Sequence, residues 1–309
     1  MDGVVDVPNY YQGTQSSNLL TADLAVEDFF KYCQLAGPDR CALWTPSVSA
    51  IANRTRAILE TVRKSPISVS DASVVGFPDL VEYKHAVFIL LSGMYSPLNN
   101  WPRVASIFRD LEMRNGTSAT LFLGEASPTV VDVVPLIGGM DSIGQNRKNF
   151  VTFEKWAAHV KLSEDQSHWV GDAWAGIALA VKDLEITPPP SQQFNGKSHI
   201  PLLPPSLYLT VILTNILVSL LTSPINTHTP ILFASNTHDP STPLAGAQKM
   251  HGLFANSGIL VQNAPGHVAS LAAVSKCTVG YIRGYFATGE LPPANTTCEV
   301  ESVPFVTGN

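Results

Sequence analysis

Positive charge is scarce in this sequence. Lys and Arg number 19 against 25 Asp and Glu, the net charge is −6, and no basic run occurs. Phosphate backbones and anionic lipid surfaces are bound mainly by clustered Lys and Arg, so nucleic acid and an acidic membrane are excluded as partners. The four cysteines never fall in the C-x-x-C spacing of zinc or thioredoxin sites, and no metal or cofactor is expected. The opening "MDGVVDVPNYYQGT" has neither a basic segment nor an apolar core and does not read as a signal peptide. Repeats are absent, as are low-complexity tracts beyond Pro188 to Pro190. The longest uncharged run, Leu207 to Leu221, falls short of the ~20 residues of a membrane span and is diluted by Thr210, Thr214, Asn215 and Ser219. It reads as a buried helix or strand pair, and no membrane partner is expected.

What is present suits a globular protein. With 309 residues, 45% of them hydrophobic, the chain can bury the core of one large or two modest domains. Its cysteines form two local pairs, Cys33 with Cys41 and Cys277 with Cys298, which suit disulfides or, alternatively, four buried thiols. Three N-x-T sequons, at Asn53, Asn115 and Asn295, favour a secreted or lumenal location and hence disulfides.

Helical periodicity dominates the first 190 residues. From Thr21, the stripe Val26, Phe29, Phe30, Cys33 predicts a helix stopped by Gly37-Pro38. Thr45-Pro46 reads as an N-cap and first-turn proline of a second helix with Ile51, Ile58, Leu59 and Val62 inward, ended by Pro66. Further helices are expected over Leu80 to Met94, over Trp101 to Met113, and through 147 to 183 with Phe150, Phe153, Trp156, Trp174 and Ile177 as anchors. Strands appear late, at Ile231 to Ala234 and Ile259 to Gln262. A helix separates them, and another through Val279, Ile282 and Phe286 follows, ended by Gly289. That order predicts a parallel crossover unit.

The chemistry is expected in this last unit. "NTHDPSTPLAGAQKM" follows the first strand and "NAPGHVAS" the second, so Asp239 and His267 both fall just past the carboxyl ends of parallel strands, where such sheets place functional side chains. A carboxylate beside an imidazole fixes its tautomer and stabilises the imidazolium formed when it takes a proton from a nucleophile. An Asp-Pro turn and a lone His in inert loops would give the same letters.

The stretch "PILFASNTHDPSTPLAGAQKM…LVQNAPGHVASLAAVSKCTVGYIRGYFATGELPPANTTCE" resembles the C-terminal domain of tripeptidyl aminopeptidase-like α/β hydrolases, the TAP-like family of secreted serine exopeptidases. "DGVVDVPNYY", "DLAVEDFFKYCQLAGPDRCALW", "YSPLNNWPRVASIFRDLEMRNG" and "TFEKWAAHV" extend the likeness upstream to the end of the sixth core strand and the helical cap. The resemblance implies that Asp239 is the triad acid and His267 its base, that Cys277 and Cys298 form the C-terminal disulfide, and that Cys33 and Cys41 form one in the cap. The implied architecture is α/β, a partial α/β-hydrolase fold holding the last core strands and a large helical cap, with the N-terminal half of the sheet missing. Residues 1–195 would be strand end and cap, 196–222 an atypical apolar insertion, and 223–309 the TAP-like part of the core. The implied substrate is a peptide or small ester, and the implied location extracellular.

Departures from the family pattern shape the expectation of activity. No Gly-x-Ser-x-Gly elbow occurs; Ser127 in "GEASP" and Ser142 in "GMDSIG" have the wrong glycine spacing. The nucleophile and both oxyanion-hole amides would therefore lie outside this chain, and an acid and base alone cannot make an acyl-enzyme. A further family cysteine pair is replaced in "IGGMDS" and "IALAVKD", and "NGKSHIP" is codable with a splice donor, so Gly196 to about Leu221 reads as translated intron. The chain as written is expected to be poorly stable and silent alone. It reads as the C-terminal portion of a serine hydrolase releasing N-terminal peptides; a non-catalytic remnant or binding module, or an esterase of the same fold, are the alternatives.

Overall fold

The computed structural model describes residues 1–71, 78–125, 136–142, 148–179 and 224–306. Its helical region follows the 3.6-residue apolar spacing of the sequence. A one-turn helix α1 (Val7–Tyr11) is started by Asp6, whose carboxylate accepts from Asn9 N. Helix α2 (Ala22–Ala36) buries Val26, Phe29, Phe30 and Cys33 on one face and stops at Gly37, whose φ of 81° suits a residue without Cβ. In α3 (Val48–Lys64) the expected inward residues are buried, but the N-cap is Ser47, not Thr45. Ser47 has extended φ/ψ and accepts from Ala50 N, while Thr45 Oγ1 donates to Ser47 O, leaving Pro46 ahead of the helix.

Leu80 is not helical. It belongs to β2 (Asp79–Val81), which pairs antiparallel with β1 (Ile67–Val69), so α4 (Tyr83–Tyr95) begins only after Glu82. Helix α5 (Pro97–Glu112) starts four residues before Trp101, because Pro97 sits in the first turn, where a missing N–H costs nothing. Helix α6 (Thr117–Glu125) follows. The single stretch expected over 147 to 183 is two helices, α7 (Phe153–Gln166) and α8 (Gly171–Leu179). Asp23 of α2 breaks it by accepting from Ser167 Oγ and the main-chain N–H groups of His168 and Trp169. Phe150 and Trp174 are buried, but the expected anchor Phe153 is 77% exposed. Faces of α2 to α6 meet in one core, closed by Trp169 and by Phe305, which stacks on Phe29.

The second region is a small parallel sheet, which makes the protein mixed α/β. Strand β3 (Ile231–His238), helix α9 (Leu244–Leu253) and strand β4 (Ser257–Pro265) form the crossover unit, with Ile231 opposite Ser257 and Asn236 opposite Gln262. Both strands outrun their expected bounds. A short β5 (Thr297–Cys298) extends the order to β3-β4-β5. On the free side of β3, Asp2 bridges Ala234 in parallel and Ala234 N donates to Met1 O. Strand alternation sends Phe233 towards Val4, Ala247 and Met250. It sends Leu232 and Leu260 towards Cys298, Ile282 and Tyr285. The last two lie on α11 (Lys276–Thr288), which follows the one-turn α10 (Ala269–Ala272) and ends at Gly289, φ 76°.

Cys33–Cys41 and Cys277–Cys298 are both disulfides, as the resemblance implies. The 196–222 segment and Ser127 lie outside the described residues. No helix among those described is long and apolar enough to cross a membrane.

Candidate active site

Strand β3 ends one residue before Asp239, and the Asp-Pro-Ser-Thr-Pro turn that follows is folded around the acid itself. Asp239 Oδ1 accepts from the N–H groups of Ser241 (2.9 Å) and Thr242 (2.7 Å), the local turn that an Asp side chain nucleates. Its Oδ2 accepts from Thr242 Oγ1 (2.9 Å) and Val268 N (3.1 Å). The carboxylate is 1% exposed, and four donors besides the imidazole satisfy it, as burial of a charged group demands. Helix α2 grips the same turn from the other side, with Thr21 Oγ1 donating to Asp239 O (2.6 Å) and Asp28 Oδ2 lying 2.6 Å from His238 Nδ1.

Strand β4 delivers His267 through Gly266, whose φ is 112°. A Cβ there would come within 2.7 Å of both Pro97 Cδ and Ala272 Cβ, so only glycine fits the close approach of helical layer and loop. His267 N donates to Tyr95 O at 3.0 Å. The next residue, Val268, has φ 67°, a conformation that costs a β-branched side chain about 1–3 kcal/mol. It is held by Asp239 on one side and by Asp2 on the other. Asp2 accepts from Ala269 N and Ser270 N, each at 2.8 Å.

These clamps bring the two residues singled out in the sequence together. His267 Nδ1 lies 3.1 Å from each oxygen of Asp239, and also 3.1 Å from Ser241 Oγ and Thr242 Oγ1. A ring nitrogen carries one proton, and the carboxylate is the strongest acceptor there. The opposite edge of the ring faces Gly3, where a Cβ would lie 3.4 Å from Cε1 and 3.8 Å from Nε2. With its side chain 26% exposed, His267 can orient on a buried acid while offering Nε2 as a base towards the Gly3 side.

Sequence reasoning missed the supporting residues. Tyr95 closes on the imidazole from the end of α4, with ring centroids 4.8 Å apart. Burial pushes its hydroxyl up to about 12; the neighbouring Ser241 hydroxyl works against this, and the charge of Asp239 adds to it. Beneath the loop, Asn236 Nδ2 donates to Gly266 O (2.7 Å), and Gln262 Nε2 donates to Asn236 Oδ1 (3.0 Å) and Ala269 O (2.7 Å). Asn236 and Gln262, which face each other across the two strands, were the available signal. Ser142 is buried, with Oγ donating to Gly139 O. A cavity of about 120 Å³ lies behind the acid, lined by Ser241, Asn18 and Lys249 among others. It does not include His267 and is not where the dyad would act.

The three sequon asparagines are exposed. Asn53 lies within α3, and its Thr55 is buried against Ile51 O. Asn115 accepts from Thr117 N in the turn after α5, and Asn295 has φ 63°.

The strand, crossover helix and His loop just described fall inside one sequence match. Residues 218–298 match the family described as TAP-like protein. This segment is a TAP-like domain. The TAP-like domain is of α/β-hydrolase type and carries Asp239, His267 and the Cys277–Cys298 disulfide; residues 1–217 lie outside the match. No curated protein matches the chain.

Proposed function

We propose that the chain is the acid–base portion of a secreted serine-type peptidase that releases N-terminal peptides from oligopeptides. The observation that carries this reading is the contact of Asp239 with His267 Nδ1 at the ends of adjacent parallel strands, within the TAP-like segment. Asp239 orients the ring and stabilises the imidazolium. His267 takes the proton of an attacking serine hydroxyl at Nε2 and returns it to the leaving amine. That serine comes from an elbow not contained in this sequence, approaching from the Gly3 side. Residues 1–195 act as cap and strand end, 196–222 as an insertion, and 223–309 as core. Two disulfides support an oxidising destination, and Asn53, Asn115 and Asn295 are the candidate glycan carriers.

A second reading, a non-catalytic module, is favoured by the missing Gly-x-Ser-x-Gly. The two separate in a chimera that places the elbow-bearing half of a TAP-like hydrolase ahead of this chain. Turnover of aminoacyl p-nitroanilides that falls about 10⁴-fold in Asp239→Asn and at least as far in His267→Gln supports the peptidase. A folded chimera without turnover supports the module, and turnover of p-nitrophenyl esters alone makes it an esterase. The chain by itself is expected to give none of these signals.

A further inference from the structure

We infer that the cavity at the start of α9 is a binding site for a short aliphatic carboxylate, held by the Asn18 side chain and the first N–H groups of the helix. The site is separate from the dyad and does not depend on the reaction proposed above. Its volume is about 120 Å³. A dry cavity of about 150 Å³ takes benzene, so this one has room for about five non-hydrogen atoms, the size of propionate. Most of its wall is hydrocarbon, with Val5, Leu20 and Pro243 among the lining residues, which suits an aliphatic tail. Asn18 is the exception. It is 7% exposed and lines the same space, yet among the described residues nothing bonds with its side-chain amide. Buried amides are almost always paired, and one that borders a cavity marks where a ligand atom sits.

The sign of the ligand follows from which groups at the wall are already matched. Asp6 borders the cavity, but its Oδ2 is paired with Lys249 Nζ at 2.6 Å and its Oδ1 accepts from Asn9 N, so its charge is compensated. What remains is a set of donors. The N-cap of α9 is Pro243, which makes no side-chain cap bond, and although Gly246 N donates to Pro243 O, Ala245 N has no acceptor among the described residues. Both Ala245 and Gly246 line the cavity, and Lys249 follows Ala245 by one turn on the same face of the helix. The positive end of a ten-residue helix, an unpaired amide and a lysine favour an anion. A carboxylate uses two such donors at once, one oxygen on Ala245 N–H and the other on Asn18 Nδ2. Ser241 also lines the cavity; its N–H donates to Asp239 Oδ1 and its Oγ lies 3.1 Å from His267 Nδ1. The bound carboxylate therefore touches the acid turn from behind.

The test is a titration of the ¹⁵N-labelled full chain with sodium propionate at neutral pH, with sodium chloride exchanged out to hold the ionic strength constant. Propionate is expected to shift the Ala245 N–H and the Asn18 side-chain amide together and to saturation, with a millimolar dissociation constant. Propionamide, of the same size without the charge, is expected to bind at least about tenfold more weakly. Octanoate, too long for the space, is expected to leave both signals in place. Asn18→Leu keeps the volume and removes the amide, while Lys249→Met leaves Asp6 uncompensated. Each should weaken propionate at least about tenfold, and Lys249→Met should leave propionamide unchanged. Should Asn18→Leu fail to fold, Lys249→Met decides alone. Signals that stay in place with propionate, or drift without saturating, mean that water alone serves Asn18 and overturn the inference. Propionamide binding as tightly as propionate overturns it equally, as do variants that melt cooperatively and bind propionate as the wild type does.

Discussion

In the helical region apolar side chains from α2 to α6 meet in a single cluster, where Phe29, Phe30, Trp101 and Phe108 are wholly buried. The sheet region buries its apolar residues in two small groups, around Phe233 and around Leu232 with Leu260, and its last helix, α11, buries only Thr278. Phe286 on that helix is 81% exposed and Leu271 nearby 78%. The dyad belongs to the thinly packed region, yet His267 and the Asp239 turn are gripped by α2 and by the corner between α4 and α5. The main apolar core and the dyad therefore lie in different parts of the chain, joined by these hydrogen bonds.

That contrast can be broken by mutation. The largest loss is expected for Phe29→Ala, about 3–5 kcal/mol by denaturant titration, since a large side chain is deleted from a closed core. Cys277→Ser combined with Cys298→Ser should cost about 3 kcal/mol by the loop entropy of a 21-residue separation. Hydrogen exchange should localise that loss to β4, β5 and α11, leaving α2 to α5 protected. A smaller effect follows from pH. His159 is buried against Phe150 and Trp156, and burial lowers its ionisation below the ordinary 6.5. The unfolded chain then binds the proton more readily, so stability is full above about pH 6.5 and falls as pH drops towards the folded value. Melting curves between pH 7 and 5 should show this decline in the wild type and a flatter one in His159→Phe. Least of all, Phe286→Ser should change stability by under about 0.5 kcal/mol. If it costs as much as Phe29→Ala, the distinction between the two regions collapses.

The parts of this fold readable in sequence were those whose local signal agrees with their packing. The α2 stripe, the stop at Gly37 and the order of strand, helix and strand around Asp239 and His267 are of that kind. Strand β1 and strand β2, of three residues each, are too short to show a period, and Leu80 therefore passed for the start of a helix. The polar end of β3 lies beyond the expected bound at Ala234 because Ser235 and Asn236 look like loop residues. The burial of Asn236 is supported by hydrogen bonds with Gln262 and Gly266, which no window of one strand contains. Tyr95 was hidden for a related reason: it lies 172 residues before His267, and only the corner between α4 and α5 brings it to the ring.

The fit of Pro97 over Gly266, together with the bond from His267 N to Tyr95 O, ties the His267 loop to the corner between α4 and α5. The α4–α5 corner cannot swing away like a lid, because it would pull the histidine's own backbone with it. On the opposite edge of the ring lies Gly3, in the first residues of the chain, which run along β3; a side chain there would come within 3.4 Å of the imidazole.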